Sequence, residues 1–130
     1  MLRMLFAAFA VICWASLPSK AEVLTLSCNG TMKEQEQERP HNITRMGLIV
    51  DFNAGVVTGF TGITARIDEF NTDSISFKGT TINPSGTEWS VHGIIDRITG
   101  SLGATVIWFN PKTISLRMRM NYQLTCKSTN

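Results

Sequence analysis

Leu116, Met118, Met120, Tyr122, Leu124 and Cys126 alternate without a break with Arg117, Arg119, Asn121, Gln123, Thr125 and Lys127. A period of two is the repeat of a β-strand, and a helix would scatter these apolar side chains around its whole circumference. One face is apolar and the other wholly polar, so the strand belongs to a sheet packed on one side and wet on the other. Near the other end of the chain Leu24, Leu26 and Cys28 alternate with Thr25, Ser27 and Asn29. Both cysteines fall in phase with the apolar faces. That agreement places them inside, on neighbouring first and last strands, and predicts a Cys28–Cys126 disulfide.

The first 21 residues carry a different pattern. Arg3 precedes an uncharged stretch from Leu5 to Leu17, shorter than the roughly 20 residues a membrane-spanning helix needs. Pro18 breaks that stretch, and Ser19 and Ala21 set small residues at the positions a signal peptidase reads. Residues 1–21 are therefore expected to be an export signal cut after Ala21, and residues 22–130 a single domain. Cys13 leaves with the signal, so the mature chain holds only the pair Cys28 and Cys126, in a compartment where disulfides persist.

Removing the signal also removes the excess of positive charge. The full chain has 12 Lys+Arg against 10 Asp+Glu. Arg3 and Lys20 lie in the signal, which leaves the mature chain near neutrality. Nucleic-acid binding rests on net positive potential, so no nucleic-acid partner is expected. No membrane span is expected after the signal is removed, and the location implied is periplasmic or secreted.

Between the end strands a local unit recurs. Leu48-Ile49-Val50-Asp51 leads to Gly55-Val56-Val57, and Gly93-Ile94-Ile95-Asp96 leads to Gly100-Ser101-Leu102. Each reads as strand, Asp, three residues, Gly, strand. The Asp accepts backbone N–H bonds at the turn and the Gly supplies a positive φ, which is the chemistry of a short hairpin. A looser copy runs from Ile67-Asp68 through Asn71 and Asp73 to Ser74-Ile75-Ser76-Phe77.

The strands expected are Val23–Asn29, Gly47–Asp51, Val56–Phe60, Thr64–Asp68, Ser74–Gly79, Glu88–Asp96, Ser101–Phe109 and Thr113–Lys127. Eight short strands with tight turns form an antiparallel up-and-down meander. Such a sheet curls shut to remove its edges, giving an all-β fold closed into a small flattened barrel, with a β-sandwich as the alternative. Inward positions are Leu48, Val50, Val57, Ile67, Ile75, Phe77, Trp89, Val91, Ile95, Leu102, Val106 and Trp108. Side chains of that size fill a small barrel, so no roomy cavity is expected. The segment Met32–Arg45 reads as the longest loop.

No catalytic machinery assembles from these residues. Bridged cysteines exclude a thiol nucleophile, and no serine sits in a G-x-S-x-G elbow. Thr99-Gly100-Ser101-Leu102-Gly103 is a turn entering a strand. His41 and His92 lie in different elements without metal-ligand spacing. Asp51 and Asp96 are explained by their turns. The chain is expected to be no enzyme, with no catalytic, cofactor or metal residues. The candidate partner contacts are His92, Arg117 and Arg119, the arginines standing on the polar face of the last strand.

Three stretches carry a family resemblance: Leu26-Ser27-Cys28-Asn29-Gly30, Trp89 to Gly100 (WSVHGIIDRITG) and Tyr122-Gln123-Leu124-Thr125-Cys126-Lys127. On these the chain resembles a group of small exported alphaproteobacterial proteins with no assigned activity. That resemblance implies a cell-envelope or secreted location. A weaker similarity is to periplasmic lysozyme inhibitors, small disulfide-bearing exported β-barrels, although the serine loop those inhibitors insert into the enzyme has no counterpart here. The function expected is that of a non-enzymatic binding or interaction protein of the envelope, taking a protein partner. The alternatives are an inhibitor of a secreted hydrolase, such as lysozyme or a protease, and a carrier of a small apolar ligand. A carrier requires an internal cavity, which a fully packed Trp89/Trp108/Met118 cluster would exclude.

Overall fold

The structure is a computed structural model that describes residues 23–60, 62–112 and 117–129. Eight strands follow in order: β1 (Val23–Glu34), β2 (His41–Asp51), β3 (Val56–Phe60), β4 (Ile63–Phe70), β5 (Ser74–Ile82), β6 (Glu88–Asp96), β7 (Ser101–Phe109) and β8 (Arg117–Ser128). Each pairs antiparallel with its neighbours in sequence, and β1 pairs with β8, so the sheet is a closed barrel. The sandwich alternative is set aside by that last pairing. The export signal and its cut after Ala21 lie outside the described residues, as do Cys13, Leu116 and the expected start of the last strand at Thr113.

At the seam Cys28 lies directly opposite Cys126, and the two form a disulfide with Cα atoms 4.0 Å apart. Cys28 is fully buried and Cys126 nearly so. The inward phase read from both end strands is therefore correct. The core around them is Leu26, Leu48, Val50, Val57, Ile75, Phe77, Val91, Ile95, Leu102 and Val106, with Phe60, Ile63, Ala65, Ala104 and Leu124. Ile67, Trp89 and Trp108, expected among the inward set, are only half-buried.

The repeated turns form as their residues dictate. Asp51 Oδ1 accepts N–H bonds from Asn53 and Ala54, each at 3.0 Å, and the Gly55 N–H closes onto the Asp51 carbonyl at 2.8 Å. Asp96 Oδ1 likewise accepts from Ile98 at 2.9 Å and Thr99 at 3.0 Å, with Gly100 N–H on the Asp96 carbonyl at 2.8 Å. Gly55 and Gly100 have φ of 69° and 80°, the left-handed region where a Cβ is costly. In the third copy Asn71 plays the Asp role, accepting from Asp73 at 2.8 Å and Ser74 at 3.0 Å.

Met32–Arg45 is not a long loop. β1 continues to Glu34 and β2 begins at His41, leaving an exposed six-residue turn, 35–40. A bulge between Cys28 and Gly30 shifts the register, with Arg45 at φ 54° and its N–H bonded to Asn29 Oδ1 at 2.9 Å. The extra residue lies in β2, so Ile43 falls out of alternation with Met46, Leu48 and Val50, while β1 keeps its phase from Cys28 through Met32. β8 extends far enough to pair with β1 up to Glu34, which keeps this polar segment in the sheet.

Candidate binding site

The barrel has two unlike ends. One, the base, carries the β2–β3, β4–β5 and β6–β7 turns. It is shut by aromatic contact and hydrogen bonds between turns. Phe52 packs under the core and against Phe70, ring centroids 5.4 Å apart, and the Arg97 guanidinium lies 5.5 Å over the Phe52 ring. Arg97 also donates from Nη1 to the Asn71 carbonyl at 2.7 Å and from its N–H to the Asp73 carbonyl at 2.8 Å.

The other end, the mouth, carries the β1–β2, β3–β4, β5–β6 and β7–β8 connections. Here the interior is not filled. A pocket of about 150 Å³ is lined by Phe60, Ile63, Trp89, Val106, Met120 and Tyr122, from five different strands. Its lining is mostly apolar. Phe60 is packed between Phe77, at 5.8 Å between centroids, and Tyr122, edge-on at 5.6 Å. Those contacts hold one wall rigid. On the other side Trp89 meets Trp108 edge to face at 6.3 Å. Trp108 pairs in turn with Met118, which is 40% exposed, so the tryptophan row forms the rim of the opening rather than a packed plug. Bulky side chains fill the core around Cys28, as expected of a barrel without a roomy cavity, and the space that remains is this small recess at the mouth.

The Tyr122 phenol is held in its neutral form more strongly than usual. Burial raises its pKa above the ordinary 10.0, and the nearby Glu34 carboxylate raises it further. Neutral tyrosine keeps the pocket free of charge at physiological pH. Thr87, the one buried polar residue of the described chain, sits in the β5–β6 turn, where its N–H binds Asn83 Oδ1 at 3.0 Å. The Asn83 N–H returns to the Thr87 carbonyl at 3.0 Å, so this edge of the mouth is braced.

The residues expected to meet a partner stand elsewhere. His92 is exposed on the outer wall of β6, and Arg119 is exposed on β8. Arg117 opens β8 opposite Phe109. His92 has no carboxylate beside it from Asp96, whose oxygen is committed to the turn. Asp51 and Asp96 both hold base turns and are not brought together as an acid–base pair. Among the described residues no group of three or more His, Cys, Asp or Glu is placed to hold a metal ion.

Two wider grooves lie open on the outer wall. One runs past Arg66, Asp68, Lys78, Thr80, Ser90 and His92, the other past Thr31, Lys33, Thr105, Asn121 and Gln123. They are larger than the mouth pocket and somewhat more open to solvent. No helix of the described residues is long and apolar enough to cross a membrane. The barrel itself is apolar within and polar on most of its outer face, the reverse of a transmembrane barrel's pattern.

Sequence reasoning missed the mouth pocket. It put Met120 and Tyr122 on the inner face and Phe60 at a strand end, but did not bring them together. No protein-family model, curated protein or solved structure matches the chain.

Proposed function

We propose that this is an exported, non-enzymatic binding protein that takes a small apolar group into the mouth of its barrel. The observation that carries the reading is the half-open, mostly apolar pocket of about 150 Å³ beside Trp89, with its packed aromatic wall. An apolar space of this volume has room for a single aromatic ring or a similarly small group. The occupant is a small apolar molecule or the apolar end of a larger one. A whole lipid does not fit. Burying a group of that size removes apolar surface from water at about 25 cal/mol per Å², enough for binding in the micromolar to millimolar range once the cost of association is met.

A pocket walled by packed aromatic rings suits recognition without chemistry. The support for the non-enzymatic reading is that the pocket holds no titratable group but Tyr122, whose phenol is kept neutral. Heavy-atom quenching tests the proposal, because Trp89 and Trp108 are the mature chain's only tryptophans. Bromobenzene titrated into the oxidised protein should quench tryptophan emission saturably. V106F, which projects a ring into the same space, should reduce the effect to the linear quenching of free tryptophan. Linear quenching by the unsubstituted protein, or identical saturation in V106F, would overturn the assignment.

A further inference from the structure

The outer wall carries a second feature, independent of the mouth. Cross-strand pairing aligns Arg66 with Lys78, Lys78 with His92, His92 with Thr105, Thr105 with Asn121, and Asn121 with Lys33. These residues form one row around the barrel from β4 to β1, crossing five strand spacings of about 4.8 Å each. The row towards the mouth holds Thr80, Ser90, Ile107 and Arg119, and the row towards the base Ser76, Ile94, Gly103 and Gln123. Across β5 to β8 these three rows contain no carboxylate.

Such an arrangement has a cost. Like charges directly opposite on adjacent strands repel, and Arg66 faces Lys78 in just that way. The acids nearby are both on β4: Asp68, 3.5 Å from Lys78 in a pair exposed enough to be worth little, and Glu69, opposite Ser76 in the row towards the base. The mature chain as a whole is balanced in charge, so this cationic belt is a local separation and not a reflection of composition. Its interleaved side chains are hydroxyls and amides. The Thr105 hydroxyl donates to Asn121 Oδ1 at 3.0 Å, which orients that amide and leaves its N–H groups to face outward. The imidazole of His92 is the one ring in these three rows, so the wall offers no run of aromatic platforms for successive nucleobases to stack on.

We infer that this wall binds an acidic polysaccharide laid across β5 to β8. Lys78, His92 and Arg119 would meet its anionic groups, and Thr80, Ser90, Thr105 and Asn121 its hydroxyls. Hydroxyl and amide side chains between spaced cations complement a chain that carries both charge and many hydroxyls. The two open grooves are its track.

Affinity electrophoresis of the mature, oxidised protein tests this. Gels would contain polygalacturonate, heparin, neutral dextran or single-stranded oligo(dT). Retardation by polygalacturonate and heparin, relieved by salt, with none in dextran, is the expected result. The double variant K78Q/R119Q should weaken retardation about tenfold, the effect of losing two screened contacts, while K112Q/K127Q, with the same charge change off the wall, should leave it nearly intact. Unchanged far-ultraviolet circular dichroism will show that both variants fold. No retardation in the acidic glycans, equal loss in the two double variants, or retardation only by oligo(dT) would overturn the inference.

Discussion

Trp89 on β6 and Trp108 on β7 are cross-strand partners whose rings meet edge to face at 6.3 Å on the rim of the mouth. An edge-to-face pair of this kind contributes about 0.5–1.5 kcal/mol beyond the area it buries. A W89F, W108F and W89F/W108F cycle measured by urea unfolding should return a coupling in that range. Two indoles this close should also give an exciton couplet in the circular dichroism, lost in either single variant. A coupling of zero with the couplet absent in the parent would mean that the rim is not ordered as described.

The seam disulfide spans a sequence separation of 98 residues. Constraining so long a loop in the unfolded chain contributes about 4–5 kcal/mol on the chain-entropy account. C28A/C126A should therefore lower the unfolding free energy by about that much, read from the urea midpoint of oxidised parent and variant. Reducing the parent should reproduce most of the loss.

Gly30 lies on β1 opposite the β2 bulge, paired with Leu124 of β8, with no room for a side chain. A Cβ there would fall on the Gln123 carbonyl oxygen and lie 2.8 Å from the Leu124 Cα, both backbone atoms of β8 that cannot move without opening the seam. G30A should destabilise by about 2–3 kcal/mol, in the range of an overpacked core. G103A on the outer wall is the matched control. Its Cβ would meet nothing within 4 Å, and the melting temperature should hold or rise slightly.

Two groups give the pH limits. The Asp96 carboxyl titrates below its ordinary 3.8, chiefly because the Thr99 and Ile98 N–H groups bind its ionised form. Its contribution is complete above pH 3.8 and is lost as pH falls through the depressed value. Tyr122 behaves oppositely. Its neutral form is favoured in the folded chain, so its contribution is complete below pH 10 and declines as pH rises above that. D96N should flatten the acid limb of a stability–pH curve, and Y122F the alkaline limb. Each should leave the other limb unchanged.

The strands, the inward cysteines and the Asp–Gly turns could all be read from the chain because each depends on residues close in sequence. Val56–Phe60, Glu88–Asp96 and Ser101–Phe109 end where alternation ends. The β1–β2 hairpin was obscured because its bulge at Cys28/Gly30 breaks the phase, and because Lys33 to Arg39 has the composition of a loop. The mouth pocket was hidden for another reason. Which inward residues share a layer is set by the stagger accumulated around eight strands, and alternation within one strand carries no information about it. Phe60 and Tyr122 are 62 positions apart in sequence and touch only because of that stagger. The basic wall is a sum of registers in the same way: Arg66, Lys78 and His92 look scattered until β4, β5 and β6 are aligned.

Seven of the eight strand pairings join neighbours along the chain, and the eighth, between β1 and β8, joins the two that are farthest apart. The conformational search is thus concentrated in one step, since the hairpins form from nearby residues while the final strand must find a partner across nearly the whole polypeptide. A sulphur bond formed early turns that distant encounter into a local one. Oxidative folding should consequently outpace refolding of the reduced chain, and a cell without thiol-oxidising capacity would accumulate a half-zipped ribbon whose two outermost strands lie bare.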